Sequence, residues 1–315
     1  MNVEKYLEDF ISKTDIAPTK LIHIKAEYYN DLEPQVYILQ DQNRSFKKRV
    51  RIASDRKNAV NTEAIVCKLL EESLHGDFFP KVIKKYENIP YIGDLLITDY
   101  LEGQSLDKCL VHITADDCKC IITQLYIILT KIHTIKSTIF HDFTTFKSDK
   151  WFDYFEHKIS KHLFRAIDYG FITKDESFFI FDILKSDANI FSVDKGTLIH
   201  FDVKPANIIW DSYRKKVSLI DYEMSRYSDI LFEYTKAHFA TQLFGNSTYE
   251  ERIWKPLVEL SFDCDYKKVF INRKAVWYLY YHYLAYCNYQ MFHMGKVSQF
   301  SYDMLNTYER QLKQG

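Results

Sequence analysis

Glycine is scarce in this 315-residue chain, which contains only eight glycines. That is about a third of the usual share of ~7%. No glycine lies between Ala26 and Val36, where polar residues join two predicted strands. A loop that cradles phosphate groups with exposed backbone N–H groups normally depends on glycine. The composition therefore argues against a glycine-rich phosphate-binding loop in this segment.

The sequence also lacks a CxxC pair of cysteines and an apolar run that would be expected to span a membrane. The six cysteines include no CxxC pair, so we expect reduced, structural thiols. The N-terminus has no basic segment followed by an apolar run, which argues against a secretion signal. The most apolar long window, 275–292, contains His282, Asn288 and several tyrosines and is expected to form a buried core helix. We therefore expect a cytoplasmic protein with no membrane partner.

Charge of one sign does not dominate. The chain has 42 basic and 43 acidic residues and a net charge of −1. No global field would recruit nucleic acid or an anionic membrane, so any charge selectivity must be local. The hydrophobic share of 47% is ample for a core at this length. The composition predicts a globular chain of one large or two modest domains, with no nucleic-acid partner.

The N-terminal third alternates between strand and helix patterns. A first helix is predicted at 3–12. The predicted strands are 21–27, 35–40, 46–53, 81–86 and 94–99. A helix is predicted at 61–74, with four apolar residues on one face at helical spacing. These are Ile65, Val66, Leu69 and Leu70. The pattern predicts a small antiparallel sheet with a helix after its third strand.

The rest of the chain is mostly helical in pattern. Helices are predicted at 115–135 and 151–169, and the capping box Thr173-Lys-Asp-Glu176 predicts another that runs towards Leu184. Short strands interrupt this pattern in one region only. They are 198–200, 208–210 and 216–220.

The region of short strands contains the most informative motif. It is His200-Phe-Asp202-Val-Lys204-Pro-Ala-Asn207, and Asp221 follows fourteen residues after Asn207. Phosphoryl transfer needs a carboxylate that orients the attacking hydroxyl, together with an amide oxygen and a second carboxylate that hold magnesium on the phosphates. Asp202, Asn207 and Asp221 match this order and spacing. Isolated loop residues that cap turns would not predict the joint spacing between apolar strands.

The motif and the order of elements together resemble the aminoglycoside phosphotransferase and choline kinase branch of the protein-kinase-like fold, over roughly residues 20–290. Supporting features are the Leu-Glu-Gly sequence at 101–103 and the pair Ile132-His133 near the end of the following helix. The resemblance implies an α+β, two-lobed protein-kinase-like fold. Its N-lobe would be a small antiparallel sheet, and its C-lobe would be large and mainly helical.

The resemblance also places the lobes along the chain. We expect the nucleotide-binding lobe at 1–98 and a hinge at 99–103. The helical lobe, with the catalytic loop and the acceptor site, would occupy 104–315.

Roles for the motif residues follow from the same resemblance. Asp202 would be the catalytic carboxylate that accepts or orients the proton of the acceptor hydroxyl, and Asn207 and Asp221 would be the ligands of Mg²⁺. Hard Mg²⁺ prefers oxygen donors and keeps several waters, so one amide, one carboxylate and the phosphates are enough. Lys204 would stabilise the transferred phosphate, with a solvated loop lysine as the alternative. His200 is expected to support the loop backbone and not to act as a base.

The phosphate donor, ATP or GTP, is expected between the two lobes. In kinases a strand lysine grips the α and β phosphates and pairs with a helix glutamate. Here Arg51 and Glu63 take these places, with Lys48 and Arg49 as alternatives to Arg51. A solvated basic face on an edge strand is the other interpretation. The adenine edge would meet backbone groups of Asp99, Tyr100 and Leu101.

The sequence after Asp221 favours a small-molecule acceptor. It contains no DFG triplet and no APE-like segment, which argues against a regulated protein kinase. Residues 229–265 contain seven acidic and three basic residues, a local charge of −4. A cationic acceptor would suit this balance, and an aminoglycoside, with antibiotic resistance as the consequence, is the first expectation. Helix caps and a solvated face would explain the same acids at least as well.

Other interpretations stay open. Choline, ethanolamine, homoserine or a sugar would be alternative acceptors. The Lys204-Pro205 pair suggests a protein kinase, and the glycine-free segment together with Arg51 suggests a catalytically silent, nucleotide-binding pseudokinase. Four aromatic residues could stack on a sugar or hold a quaternary ammonium, although core packing is the main expectation. They are Trp254, Tyr278, Tyr281 and Tyr286.

Overall fold

The computed structural model describes most of the chain up to Phe262. The described residues are 3–14, 20–24, 35–40, 47–53, 57–143, 146–168, 170, 173–175, 177–178, 182, 193–243 and 247–262. Several predictions fall outside the described residues. They concern the helix at 275–292, most of the helix towards Leu184, the glycine-free segment at 27–34, the acids at 263 and 265 and the tyrosines at 278, 281 and 286.

Short strands and helices alternate along the described chain. The helices are α1 (Val3–Ser12), α2 (Lys57–Ser73), α3 (Leu106–Cys109), α4 (Ala115–Ile132), α5 (Trp151–Asp168), α6 (Ile230–Leu243), α7 (Ser247–Tyr249) and α8 (Lys255–Ser261), with a π-helical turn at Glu250–Trp254. The strands are β1 (Lys20–Ile24), β2 (Gln35–Gln40), β3 (Lys47–Ala53), β4 (Val82–Ile89), β5 (Gly93–Asp99), β6 (Gln104–Ser105), β7 (Lys136–Ser137), β8 (Phe140–His141), β9 (Lys147–Ser148), β10 (Gly196–Ile199), β11 (Ile208–Asp211), β12 (Lys216–Leu219) and β13 (Arg226–Ser228). No helix in these ranges combines the length and the apolar character needed to cross a bilayer.

Two compact units make up the chain. The first is Met1–Leu106 with Ala206–Ser225, and the second is Asp107–Pro205 with Arg226–Gly315. Residues 206–225 therefore group with the N-terminal part of the chain. The lobe boundaries expected from the sequence, at 1–98 and 104–315, stay a prediction.

The first unit is built on a five-stranded antiparallel sheet in the order β1-β2-β3-β5-β4. Because side chains alternate between the two faces of a strand, every second residue can enter one core. Tyr37 and Leu39 of β2 and Val50 of β3 are buried in this way. They share a core cluster with Leu7 and Ile11 of α1. The amphipathic first helix therefore packs on the sheet through its apolar stripe.

Helix α2 buries Val66 and Leu70 of the predicted face completely, but it does not bury Ile65. Ile65 is 47% exposed, although the sequence pattern places it on the buried face with Val66 and Leu70. The buried stripe runs through Val60, Glu63, Ala64, Cys67 and Leu70. The prediction for Ile65 is wrong because a carboxylate, that of Glu63, lies within the buried stripe where the pattern places apolar residues.

A three-stranded sheet in the order β12-β11-β6 completes the first unit. Strands β11 and β12 form an antiparallel hairpin whose register pairs Ile208 with Leu219. Gly103, just before β6, has a φ of +130°, and a Cβ at this position would lie 2.6 Å from the carbonyl oxygen of Trp210. The close approach of the two backbones therefore requires the glycine of the Leu-Glu-Gly sequence.

The second unit combines helices with another five-stranded sheet, in the order β7-β10-β13-β8-β9. All four residues of β10 are buried. Trp151 and Phe155 of α5 pack edge-on against Phe232 of α6, with ring centroids 5.8 and 5.7 Å apart. Helix α6 also contacts β10. The aromatic core thus places α6 beside the strand that leads into the His200 motif.

Most of the predicted elements are confirmed. Helix α1 and strand β2 have the predicted bounds, and β10, β11 and β12 are the strands expected around the motif. The expectation that strands in the second part of the chain are confined to the motif region is wrong, because β7, β8, β9 and β13 lie outside it. These strands have two or three residues each, which is too short to show a period of two.

Replacing Gly103 with Ala is expected to destabilise the first unit. The added Cβ would meet the carbonyl oxygen of Trp210 at 2.6 Å and the backbone nitrogen of Asp211 at 2.9 Å, at a φ of +130° that L-residues rarely adopt. We expect a loss of about 2–4 kcal/mol in the free energy of unfolding, measured by urea denaturation.

Gly170→Ala is the matched control for this substitution. Gly170 also has a positive φ, +70°, but a Cβ there would meet no atom within 4 Å. We expect a loss of about 1 kcal/mol from the left-handed backbone alone. Equal losses in the two variants would contradict the importance of the approach to Trp210.

Candidate active site

A buried glutamate holds the loop that follows β10. Glu233 of α6 is 1% exposed, and its Oε1 accepts hydrogen bonds from the backbone N–H groups of His200 at 2.7 Å and Phe201 at 3.0 Å. Its Oε2 lies 2.5 Å from Nε2 of His133, the residue that caps the C-terminus of α4. Glu233 therefore connects α4 and α6 to the start of the motif loop, directly after β10.

The partners of Glu233 keep its carboxylate ionised. Burial alone would raise the pKa of Glu233, but the hydrogen bond and charge of His133, the charge of His200 and the N–H of Phe201 outweigh burial and lower it. Breaking a buried pair of this kind costs roughly 3–5 kcal/mol, because the remaining charge stays in a medium that solvates it poorly. The loop geometry and the ionised state of Glu233 are therefore interdependent.

Two lysines hold the carboxylate of Asp202. Lys236 of α6 donates from Nζ to Oδ1 at 2.9 Å, and Nζ of Lys204 lies 2.8 Å from Oδ2. Burial by itself raises the pKa of Asp202, but the positive charges of Lys236 and Lys204 and their hydrogen bonds bring it far below its ordinary value. Asp202 is therefore ionised throughout the physiological pH range. Such a carboxylate is a weak base but a good hydrogen-bond acceptor.

Phe201, next to Asp202, has a strained backbone. Its φ is +63°, in the left-handed region that costs an L-residue about 1–2 kcal/mol. Helix α6 holds both sides of this residue, because the N–H of Phe201 donates to Glu233 and its carbonyl oxygen accepts from Nζ of Lys236 at 2.7 Å. The guanidinium of Arg226 lies 3.7 Å from the centroid of the phenyl ring. Strain of this kind persists only where the surroundings over-determine it, and it clusters at functional sites.

Asn207 and Asp221 lie at the same end of the β11–β12 hairpin. Asn207 directly precedes β11, and the N–H of Ile220 donates to its carbonyl oxygen at 3.0 Å. Asn207 is 4% exposed. Asp221 has a φ of 72° and a ψ of 62°, a left-handed conformation that Asp tolerates better than most residues. The hairpin therefore brings an amide and a carboxylate together.

This pair of side chains fits a magnesium ion. Amide and carboxylate oxygens are hard donors, and Mg²⁺ is usually bound by one or two protein groups together with phosphates and waters. Within the described ranges, no group of three or more His, Cys, Asp or Glu side chains could hold a metal ion by itself. The donor atoms of Asn207 and Asp221 would suit a metal that phosphate oxygens also bind.

Arg51 and Glu63 lie on neighbouring elements of the first unit. Arg51 is in β3, where its backbone pairs with Leu96, and its side chain is outside the described part. Glu63 is fully buried in α2, which contacts both β3 and the turn Tyr222–Met224 that follows Asp221. The structure thus brings the helix of Glu63 next to the turn of Asp221. The pairing of Arg51 with Glu63 stays a prediction.

The predicted hinge follows β5. Asp99 is the last residue of that strand, and its N–H donates to the carbonyl oxygen of Lys81 at 3.0 Å. Tyr100 and Leu101 are half-buried and precede Gly103. The N–H of Asp99 is therefore already used, so a nucleotide base would have to meet other backbone groups of residues 99–101.

A family model of phosphotransferase enzymes matches residues 27–253. The chain belongs to the phosphotransferase enzyme family. The resemblance found in the His200 motif and in the order of elements is thereby confirmed. No curated protein sequence matches the chain significantly.

Solved structures of aminoglycoside phosphotransferases share the fold of this phosphotransferase. The GDP complex of wild-type aminoglycoside 2'-phosphotransferase-IIIa has a TM-score of 0.68 at 11% identity and covers 99% of both chains. The gentamicin complex of APH(2")-IIa has a TM-score of 0.68 at 12% identity, over 97% of this chain and 96% of that one. A thermostable mutant of APH(4)-Ia in its apo form has a TM-score of 0.62 at 13% identity, over 98% of both chains. The predicted α+β, protein-kinase-like fold is confirmed.

Acids expected to line the acceptor site of this phosphotransferase have structural partners. Asp229 accepts a hydrogen bond from the N–H of Leu231 at 2.9 Å and so caps the start of α6. Glu233 holds the motif loop, and Glu251 pairs with Lys255 one helical turn away. The alternative of helix caps and surface pairs therefore explains Asp229 and Glu251, and Glu233 has a third role as the buried partner of the loop.

Glu233 and Lys236 contact the motif loop, and the sequence pattern did not predict these contacts. They are three residues apart on α6 and therefore share a face, yet the loop that they contact lies 32 to 35 residues earlier in the chain. Two opposite charges, the only Asp, Glu, Lys or Arg residues of α6, were the available signal. Trp254 was considered as a stacking residue, with core packing as the main expectation. It is 1% exposed and packs against Tyr234, which agrees with core packing.

Glu233→Gln is expected to lower stability most at neutral pH. Because the folded-state pKa of Glu233 is lowered, the ionised group stabilises the fold above the ordinary glutamate pKa of ~4.3, and this contribution is lost as the pH falls through the folded-state pKa. We expect a deficit of about 3 kcal/mol in the free energy of unfolding at pH 7. Denaturant titrations at a series of pH values measure it.

Glu259→Gln, which changes an exposed carboxylate on α8, is the control. It should leave the free energy of unfolding nearly unchanged over the same pH series. The deficit of the Glu233→Gln variant should shrink below pH ~4.3, where the wild-type carboxylate begins to lose its contribution. A deficit of equal size at pH 7 and in acid would show that the charge of Glu233 is not what stabilises the loop.

Proposed function

We propose that this phosphotransferase transfers the γ-phosphate of ATP or GTP to a hydroxyl group of a small-molecule acceptor, and that Asp202 is its catalytic carboxylate. The observation that carries the proposal is the state of Asp202. Its side chain is only 13% exposed, ionised and held at both oxygens by lysines, at the start of a loop that α6 anchors. Asn207 follows five residues later in the same motif.

The geometry of Asp202 suits an orienting role. Phosphoryl transfer passes through a loose transition state, so the attacking hydroxyl needs alignment more than early deprotonation. A carboxylate with a strongly lowered pKa accepts a hydrogen bond from that hydroxyl and directs its oxygen at the γ-phosphorus. The proton is then transferred late, when the new O–P bond has made the hydroxyl acidic.

Asn207 and Asp221 would hold the magnesium ion. Bound Mg²⁺ neutralises charge on the β- and γ-phosphate oxygens as it develops. The hairpin contact between Ile220 and Asn207 keeps the two ligands at one end of β11 and β12. Lys204, with its side chain 36% exposed, would place its ammonium against the transferred phosphate.

Solved relatives of the fold support a purine nucleotide as the donor. They include complexes with GDP, AMP-PNP and ADP. In this chain the phosphates would meet Arg51, with Glu63 as the partner of that arginine, and the base would meet residues 99–101. Because Glu63 is fully buried on the helix that contacts the turn after Asp221, it is suited to orient a basic side chain.

An aminoglycoside is the first candidate acceptor. Structures with the same fold contain kanamycin, gentamicin and hygromycin B. Each is a sugar-containing amine with free hydroxyls, which agrees with the hydroxyl acceptor proposed here. In that case the protein would confer antibiotic resistance from the cytoplasm, and choline, ethanolamine, homoserine or a sugar would be the alternative acceptors of the same chemistry.

Asp202→Asn is expected to lower kcat by about 10³-fold while the protein stays folded, because the orienting carboxylate is lost. The assay is Mg²⁺-dependent consumption of ATP and of GTP with a panel of aminoglycosides, choline-type amines and sugars. Labelled phosphate on protein, and on none of these small molecules, would favour the protein-kinase alternative.

Asp142→Asn is the matched control. Asp142 is 14% exposed and pairs with Lys158, just as Asp202 is 13% exposed and pairs with Lys236. The control should keep kcat within about threefold of the wild type, because Asp142 follows β8 and lies outside the motif loop. Acceptor-dependent turnover that survives in Asp202→Asn would refute the proposed function of Asp202.

Asp221→Asn is expected to abolish the contribution of magnesium to nucleotide binding. In the wild type, Mg²⁺ should tighten the Kd of ATP by about tenfold, because the metal joins Asp221 to the phosphates. Isothermal titration with and without Mg²⁺ measures this difference. Asp211→Asn, at the opposite end of the same hairpin, should retain it. The metal assignment fails if both variants respond to Mg²⁺ as the wild type does.

A further inference from the structure

Helix α6 holds the loop of Asp202 with one face. Glu233 and Lys236 are three residues apart, so their side chains project in similar directions. The acid accepts from the N–H groups of His200 and Phe201, and the lysine donates to the carbonyl oxygen of Phe201 and to Asp202. The carboxylate of Glu233 therefore meets N–H donors of the loop, and the ammonium of Lys236 meets oxygen acceptors of the loop.

Lys236 is largely buried, at a cost that its partners offset only in part. Its side chain is 19% exposed, and its Nζ lies 4.7 Å from the centroid of the Phe201 ring, a cation–π contact. Burial lowers the pKa of Lys236, Asp202 raises it again, and the like charges of Lys204 and Arg226 oppose the ammonium. An ammonium kept among other cations indicates a requirement for charge at this point, because an apolar residue would fill the space at less cost.

The two lysines at Asp202 differ in how firmly they are placed. Lys204 belongs to the loop itself and is 36% exposed, so it moves with the residue that it contacts. Lys236 projects from a helix that is packed against β10 and the aromatic core. It also holds the carbonyl oxygen of Phe201, the residue with a φ of +63°. Lys236 is therefore the partner that fixes the orientation of Asp202 relative to the packed core of the second unit.

We propose that Lys236 is a positioning residue for phosphoryl transfer, which fixes the Asp202 carboxylate and the left-handed Phe201 backbone in the geometry that the reaction needs. This inference rests on the proposed function of Asp202. Lys236 acts through Asp202 and does not itself touch the reacting atoms. Its loss should therefore lower kcat and leave the KM values for nucleotide and acceptor nearly unchanged.

The test compares Lys236→Met, which removes the charge, with Lys236→Arg, which keeps it, and with Lys236→Gln, which keeps a donor for the Phe201 carbonyl. We expect Lys236→Met to lower kcat by about 10- to 100-fold, the effect of a small misplacement of a catalytic group. Lys236→Arg should retain more activity than Lys236→Gln. In the Asp202→Asn background, Lys236→Met should lower the residual kcat by less than about twofold, because residues that act as a unit are not additive.

Lys158→Met is the matched control for this series. Lys158 has the same exposure of 19% and likewise pairs with a largely buried aspartate, Asp142, in the second unit. Its loss should leave kcat within about threefold of the wild type. Thermal denaturation of every variant shows whether it is folded, and should Lys236→Met not fold, Lys236→Gln takes its place in the comparison.

Hydrogen exchange gives a readout that does not depend on turnover. The backbone amides of residues 200–204 should exchange faster in Lys236→Met than in the wild type, and Lys158→Met should leave them unchanged. A wild-type kcat in a folded Lys236→Met variant, or fully additive effects with Asp202→Asn, would overturn the inference. If the wild type turned over no acceptor, the proposed function would fail on its own. Unchanged exchange at 200–204 would then reject the positioning role separately.

Discussion

The ionised carboxylate of Glu233 is the group on which the motif loop depends. It is buried among polar partners that come from two places in the chain, namely His133 at the end of α4 and the N–H groups of His200 and Phe201 in the motif loop. A charged group in a low-dielectric interior is stable only when all its partners are in place. Helices α4 and α6 and the loop after β10 therefore reach their final geometry together, and the conformation of Asp202 follows from it.

Lys236 lies one helical turn after Glu233 on α6, carries the opposite charge and completes this arrangement. Lys236 and Lys204 keep Asp202 ionised, which deprives the carboxylate of proton affinity and leaves it a hydrogen-bond acceptor. That state agrees with a loose phosphoryl-transfer transition state, in which the nucleophile keeps its proton until bond formation is advanced. The strained backbone of Phe201 is tolerated because the same helix face satisfies both its N–H and its carbonyl group. Charge state and backbone strain at the site thus have one structural cause.

Local patterns were enough to predict α1, β2, the strands around the motif and the family, because periodicity and motif spacing are properties of neighbouring residues. Such local patterns could not predict contacts between residues that are far apart in the sequence. His133 and Glu233 are 100 residues apart, and nothing near either of them in sequence indicates that they meet. The exposed Ile65 shows the same limit, because the orientation of α2 depends on the burial of Glu63, which follows from tertiary packing.

The charges near Asp202 also constrain how an acceptor can bind. Lys236 and Lys204 contact the carboxylate of Asp202, and Arg226 is a third cation, close enough to Lys236 to oppose its charge. A positive group on the acceptor close to its reactive hydroxyl would be repelled there. The ammonium groups of an amino sugar would therefore have to point away from the transferred phosphate. They would also need acids other than Asp229 and Glu233, since the first caps α6 and the second anchors the loop. The acidic balance of residues 229–265 is thus a weak argument for a cationic acceptor, because two of its carboxylates serve the fold.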